Sequence, residues 1–317
     1  MMTSTAKTVF EKYEIRKTKA QKTAFIGYVE SFAKELGYSC HTEKGWFGAV
    51  NIVVGDPEKA KVVYTAHYDT CPVLPFPNFI TPRHIWIYLL YQIFVVTAIM
   101  LLPMAAVITA VISAGSLWFP ESDLMPLFAL LAGYAVLLGV MFLVLAGPAN
   151  KHTANDNTSG VTVLLETMQI MPEEQKNDAA YIFFDLEEQG LFGSGGYASK
   201  HKKDMKNKLL VNFDCVSDGN TMLLVLRKGA VSRKEILEKA FPAAAGIQVD
   251  IAEKGVFYPS DQANFPCGVG VAALKRTKRG GILYMDRIHT RHDTVYQEEN
   301  IAYLAESAVR LTTLLHT

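Results

Sequence analysis

Apolar and polar positions along this chain follow three kinds of pattern, and each predicts a different element. From residue 8 to 37, Phe10, Tyr13, Ile15, Phe25, Ile26, Tyr28, Val29, Phe32 and Leu36 recur at mixed spacings of three and four among charges. Gly37 then supplies a stop, so the stretch predicts an amphipathic helix laid over a sheet. Residues 47–54 and 61–66 are short β-forming runs separated by the turn residues Gly55, Asp56 and Pro57, and they predict a joined pair of strands. Beyond residue 150 the signals alternate. Helix is predicted over 157–171, 232–240 and 299–315, and strand over 179–185, 209–214, 222–226, 247–252 and 270–273. Alternation of this kind predicts an α/β fold, a three-layer sandwich around a parallel or mixed central sheet.

The third pattern has no polar face. Between Ile85 and Phe119 there is no charged residue, nor is there one between Leu124 and Asn150, and only Pro-Glu-Ser-Asp separates the runs. A hydrocarbon core of roughly 30 Å needs about 20 apolar residues in a helix, and each run is longer. The pair predicts a transmembrane hairpin, with Pro103 kinking the first span or dividing off an interfacial extension. Ala106, Ala110 and Ala114 at a spacing of four, and Ala135 with Gly139, are the small residues through which the two helices are expected to approach.

Composition adds limits. Of 317 residues half are hydrophobic, the formal net charge is zero, and no basic run interleaved with aromatics suggests a nucleic-acid partner. Cys40, Cys71, Cys215 and Cys267 show no CxxC spacing and are too sparse for a disulfide framework, which fits a reducing compartment. The polar start of the chain predicts no cleavable secretory signal.

Chemistry concentrates at the predicted strand ends. Lys61 to Thr70 delivers His67 and Asp69 two positions apart, a spacing at which a carboxylate can orient an imidazole. Asp156 stands in ANDNTSG, Glu187 and Glu188 in FFDLEEQGLFGSGG, Asp214 in VNFDCVSDG, and His289, His292 and Asp293 in IHTRHDT. Taken singly, Asp156 also reads as a helix N-cap, Asp214 as a turn residue and the two glutamates as a solvated pair. Together they place carboxylates and histidines on one edge of an open α/β sheet, where ligands bind. Mixed oxygen and nitrogen donors of this kind suit zinc or a similar divalent ion.

Over residues 8–82 and 148–317, with AHYDT, ANDNTSG, DLEEQGLFGS, NFDC and IHTRHDT in that order, the chain resembles the co-catalytic di-zinc aminopeptidases of metallopeptidase family 28. That family also includes glutamate carboxypeptidase and glutaminyl cyclase. The resemblance implies two zinc ions per chain, His67 and Asp214 on one, Glu188 and His289 on the other, and Asp156 bridging both. Glu187 would be the general base, Asp69 would orient His67, and a cis peptide would follow Asp156. The implied substrate is a peptide with a free N-terminus. A carboxypeptidase or glutaminyl cyclase of the same family is the nearest alternative, and a metal-free receptor or scaffold a more distant one. Two departures stand out: His292 is unusual at its place in the motif and reads as an outer or surface histidine, and Ser260-Asp261-Gln262 replaces a frequent Ser-Asp-His. Cys215 reads as a small buried residue.

Removing residues 84–147 restores the separation of His67 and Asp156 usual in soluble members, so the apolar segment reads as an insertion beside the site. The predicted organisation is a catalytic domain in two parts, 1–83 and 148–317, interrupted by a hairpin at 84–147. Both flanks carry implied ligands, so the number of spans is even. Arg83 and Lys151 flank the spans, while the connecting loop holds Glu121 and Asp123 without Lys or Arg. The expected protein is therefore anchored in the cell membrane with its catalytic parts in the cytoplasm, and Trp86 and Trp118 are the expected interfacial anchors.

Overall fold

The computed structural model describes residues 2–119 and 122–316. The expected N-terminal helix is two helices, α1 (Ser4–Tyr13) and α2 (Lys19–Glu35). What divides them is a turn around a fully buried Arg16, followed by Thr18, which caps α2 in a reciprocal capping box with Gln21. Strand β1 (Cys40–Lys44) is polar in sequence and lies at the sheet edge, so no apolar alternation announces it. Strands β2 (Val50–Val54) and β3 (Val62–His67) follow. They are not partners: β4 (Ala179–Phe184) lies between them, antiparallel to β2 and parallel to β3. The short connection that suggested a hairpin in fact carries the chain past the place of a strand formed much later.

Next come α3 (Ile85–Val96), a π-helical turn (Thr97–Leu101) and α4 (Leu102–Trp118), which run as one helix of 34 residues, then α5 (Met125–Ala146). Both long helices are apolar enough to cross a membrane. Pro103 donates no backbone hydrogen bond, and the widened π turn immediately before it accommodates that gap without ending the helix. The chain leaves for this hairpin and returns through a narrow stem, in which Val73 N–H donates to Pro148 O and Asn150 N–H to Cys71 O, each at 2.9 Å.

The small residues of the hairpin act elsewhere than expected. Ala106, Ala110, Ala114, Ala135 and Gly139 are exposed, whereas Gly115, Ala129 and Gly133 are buried between α4 and α5. A Cβ on Gly133 would lie 2.6 Å from Ile108 Cγ1, so the close approach is made there.

The rest of the fold comprises α6 (Gly160–Ile170), α7 (Phe192–Lys200), β5 (Leu209–Phe213), β6 (Thr221–Leu226), α8 (Lys234–Ala240), β7 (Gln248–Ala252), β8 (Gly268–Arg276), β9 (Leu283–Tyr284) and α9 (Glu298–His316). Eight strands lie in the order β1-β2-β4-β3-β5-β8-β6-β7, with β9 paired to β8. Residues two apart on β3 face opposite cores from their neighbours: Val62, Tyr64 and Ala66 pack with α1, α2, α6, α8 and α9, while Val63 packs with Tyr197 of α7. The expected three-layer sandwich with a mixed sheet is what forms. Strands β4, β3 and β5 are adjacent and mutually parallel, so their C-terminal ends open at one edge.

Candidate active site

The register of the three central strands brings the chemistry together. His67 closes β3 directly opposite Phe184, the last residue of β4, so the turn after β4 that carries Glu187 and Glu188 lies beside the turn carrying Asp69. Asp214 follows the end of β5. Asp156 is reached from the far side of the hairpin, in a kinked segment (Ala154–Ser159) before α6 in which Asp156 and Asn157 leave helical geometry, and it does not cap that helix.

Two histidines are each wedged between two carboxylates. His67 Nε2 lies 3.2 Å from Asp156 Oδ1 and 3.4 Å from Asp214 Oδ1. His289 Nε2 lies 3.1 Å from Asp156 Oδ2 and 3.2 Å from Glu188 Oε2. Asp156 thus presents one oxygen to each histidine. Behind His67, Asp69 Oδ1 lies 3.5 Å from Nδ1, and Asp69 accepts the backbone N–H groups of Glu187 and Glu188 at 3.0 and 3.3 Å. One carboxylate therefore holds the glutamate turn and lies next to the His67 ring.

The electrostatics are dominated by burial. Asp69, Asp156 and Asp214 are buried, and Glu187 and Glu188 are half-buried at the wall of the cavity. Burial by itself would raise Asp156, but hydrogen bonds from His289 and His67 outweigh it and hold the carboxyl well below its ordinary range. Burial would likewise lower His67, yet Glu187, Asp156 and Asp214 push it well above its usual value. Glu187 has no such direct partner, and burial drives it well above the ordinary carboxylate range, only partly opposed by His67. Glu188 Oε1 and His67 Nδ1 are buried without a hydrogen-bond partner. A cluster with this surplus of acceptors is incomplete without cations, and its donor set of imidazole nitrogens and carboxylate oxygens fits zinc.

Four left-handed residues that are not glycine surround the cluster: Leu186 (φ 53°), Leu191 (φ 60°), Cys215 (φ 56°) and His289 (φ 64°). Such conformations persist where neighbouring structure holds them, and they gather at sites of function. The peptide between Asp156 and Asn157 is cis, as the resemblance implies. Cys215 is buried and His292 is exposed, in line with the expectations for both.

Several further residues support the ligands, and of these Asn157 and Arg16 carry no signal in sequence. Asn157 binds four backbone groups: its Oδ1 accepts from Gly160 and Cys215, and its Nδ2 donates to Phe213 O and, at 3.4 Å, to His67 O. Asp293 accepts the backbone N–H groups of Asn155 and Asp156 at 2.8 and 2.9 Å, which sets the bridging segment. Its own carboxyl is pushed up to about 7 by burial and by Asp156. Arg16 donates to the backbone oxygens of Tyr68 and Tyr13 and, at 3.2 Å, to Thr158 Oγ1, tying the turn after β3 to the bridging segment from behind. Of the departing triplet, Gln262 serves the sheet, accepting from Asn212 Nδ2 and donating to Tyr258 O. Asp261 is fully buried with neither oxygen paired and rises to about 7 through burial.

The sequence model for peptidase family M28 matches residues 140–310, more than half of the chain. The chain belongs to peptidase family M28. Solved structures similar to this M28 chain include the aminopeptidase LapA of Legionella pneumophila (15% identity, 97% of this chain and 69% of that one, TM-score 0.55). A Zn-dependent exopeptidase from Parabacteroides distasonis is similar at 13% identity over 97% of both chains, with a TM-score of 0.57. A glutaminyl cyclase from Porphyromonas gingivalis is similar at 14% identity over 98% of both chains, with a TM-score of 0.55. At these identities the likeness is one of fold. No curated protein matches the chain. Enzymes of family M28 are zinc-dependent, and membership makes the protein a metallopeptidase-like hydrolase of that family.

Proposed function

We propose that this M28 protein is a membrane-anchored aminopeptidase that hydrolyses the first peptide bond of substrates with a free N-terminus. The observation that carries the reading is the sharing of Asp156 between two histidine-carboxylate nests, one with Asp214 and one with Glu188. In this reading His67 and Asp214 hold one zinc ion, Glu188 and His289 a second, and Asp156 bridges them. The chemistry two zinc ions supply when bound is polarisation of the scissile carbonyl and a lowered pKa for the attacking water. Glu187, beside a ligand but outside both nests, takes the proton of that water and returns it to the leaving amine. Asp69 keeps the His67 ring turned so that Nε2 faces the site.

The hairpin is the proposed anchor, inserted between two parts of one catalytic domain at 1–83 and 148–317. The π turn with α4 (5 and 17 residues) packs along α5 (22 residues), a matched pair about 33 Å long at 1.5 Å per residue. That length matches a hydrocarbon core of roughly 30 Å. Helix α3 is the interfacial extension, held to the catalytic body by Tyr88 against Phe257 and Tyr91 against Phe79.

The test is zinc content per chain together with turnover of N-terminally free, N-blocked and N-glutaminyl peptides. The expected result is two zinc ions and release of N-terminal residues from free peptides only. Cyclisation of N-terminal glutamine without release of other residues would replace the aminopeptidase with a cyclase.

A further inference from the structure

Two cavities meet at His289. One, of about 270 Å³, is lined by the candidate ligands with Glu187, Tyr258, Asn78 and Ile80. The other, of about 200 Å³, lies on the hairpin side and is walled by Leu74, Phe76, Val95, Ile99 and Val144, with Asn78 and His289 shared between the two. The second cavity is thus apolar, built largely from the 74–78 loop, α3 and the π turn, and it reaches the candidate ligand His289 itself.

That wall is firmly assembled. Leu74 N–H donates to His289 O at 2.8 Å and Asn78 N–H to Ile288 O at 3.2 Å, which zips the 74–80 loop to the segment carrying His289. From the hairpin, Gln92 Nε2 donates to Asn78 Oδ1 at 3.2 Å, Tyr91 Oη donates to Pro77 O at 2.8 Å, and Phe94 packs edge-on against Phe76. Gln92 is a polar residue in an otherwise apolar run, and it ties α3 to the loop that lines both cavities.

The cavity is partly open and its wall is apolar, and a volume of about 150 Å³ with such a lining already accommodates a benzene ring. We propose that the hairpin cavity is a substrate subsite that takes an apolar side chain of the residue next to the scissile bond. The hairpin then contributes specificity as well as an anchor, and substrates partitioned into the bilayer reach the site along the helices that build it. This rests on the peptidase reading above. It adds that the selecting surface is the hairpin itself.

Each added methylene buried in such a subsite raises kcat/KM about fourfold, and a leucine over a glycine on the order of 10- to 100-fold. The experiment uses the full-length zinc-loaded protein in detergent micelles, with glycyl, alanyl, methionyl and leucyl anilides. Ile99→Trp should collapse the leucine-to-glycine ratio at least tenfold, and Val144→Ala should shift the optimum to larger side chains. A merely misfolded variant would do neither while holding its zinc. Separately, Val95→Cys is alkylated with N-ethylmaleimide, read on the peptide bearing position 95, with and without leucinamide or glycinamide.

Selective protection by leucinamide together with the selectivity changes is the expected result. Protection without cleavage of any anilide would keep the subsite and remove the peptidase reading. Cleavage without apolar preference and without protection would overturn the subsite and leave the peptidase reading standing. Absence of both cleavage and protection would overturn the subsite as well.

Discussion

Glu187 is the residue whose replacement separates chemistry from metal holding. It lies outside both histidine nests, so Glu187→Gln should retain wild-type zinc content while kcat falls by about 10²- to 10⁴-fold. Wild-type turnover in that variant would remove it as the base. Asp293 supports a complementary expectation, because it accepts two backbone N–H groups of the bridging segment without touching either histidine nest. Asp293→Asn turns one acceptor into a donor facing an N–H, and zinc affinity measured by competition with a chelator should weaken about 10- to 100-fold. At this scale the sequence discloses the residues that bear donor atoms, since His67, Glu187, Glu188 and Asp214 all follow apolar strands whose ends must share an edge. It does not disclose Arg16 or Asn157. Their value lies in backbone groups that only the folded chain brings within reach, and a single Arg or Asn among polar neighbours carries no periodicity to betray it.

Elements were legible where burial imposes a period and illegible where other forces set the structure. Strands β3, β4 and β5 are buried throughout and stand out as apolar runs, whereas β1 is a polar edge strand and α7 is glycine-rich, so neither offers a stripe to read. The hairpin shows the same limit, since the positions of its paired stretch offer no polar stripe and the contacting face is invisible until the helices are paired. That face yields a paired prediction. Gly133→Leu would drive a side chain into Ile108 and Met104, and should lower the melting temperature in detergent by several degrees, whereas Gly139, with nothing within 4 Å, should accept Ala at no cost. Loss of stability at Gly139 and not at Gly133 would mean that the helices pair through the other face. On the opposite side of the molecule, Glu43 of β1 ties down the end of α7 through Lys200 Nζ and His201 Nε2, each at 2.9 Å. Burial opposes ionisation of Glu43, but the hydrogen bonds from Lys200 and His201 win and its pKa falls below the ordinary value. A depressed carboxylate stabilises the fold fully above its unfolded value of about 4.3, and that contribution fades as pH drops through the lower folded value. Glu43→Gln should therefore cost about 1 kcal/mol at pH 7, discounted for partial exposure, and the gap in melting temperature from wild type should close below about pH 4. A gap that persisted unchanged into acid would mean that the contact is packing and not charge.

For the whole molecule the proposed anchoring makes a prediction about which side of the bilayer would hold the catalytic body. The continuous first helix is about 51 Å long, too long for a hydrocarbon core even at the largest usual tilt of about 40°. The excess is α3, which stays with the catalytic body, and Arg83 just before it is clamped by Asp250, with Nε 3.0 Å from Oδ2. This moves Trp86 away from the paired stretch, while Trp118 is largely exposed at its other end, where an interfacial anchor would have to lie. On the body side the membrane-proximal basic residues are Arg83 and Lys151; on the connecting side there are none, and Glu121, which completes that charge asymmetry, lies outside the described residues. The positive-inside rule counts Lys and Arg irrespective of their partners, so the clamp on Arg83 does not cancel its vote. The body is therefore expected in the cytoplasm and the short loop outside. Single cysteines at Ser122 and Lys203, treated in intact cells with a membrane-impermeant maleimide, separate the cases, because Ser122 lies in the loop and Lys203 on the exposed surface of the body. Labelling at 122 alone is the expected outcome. Labelling at 203 alone would invert the orientation, and labelling at both would mean that the paired helices do not cross the membrane as a hairpin.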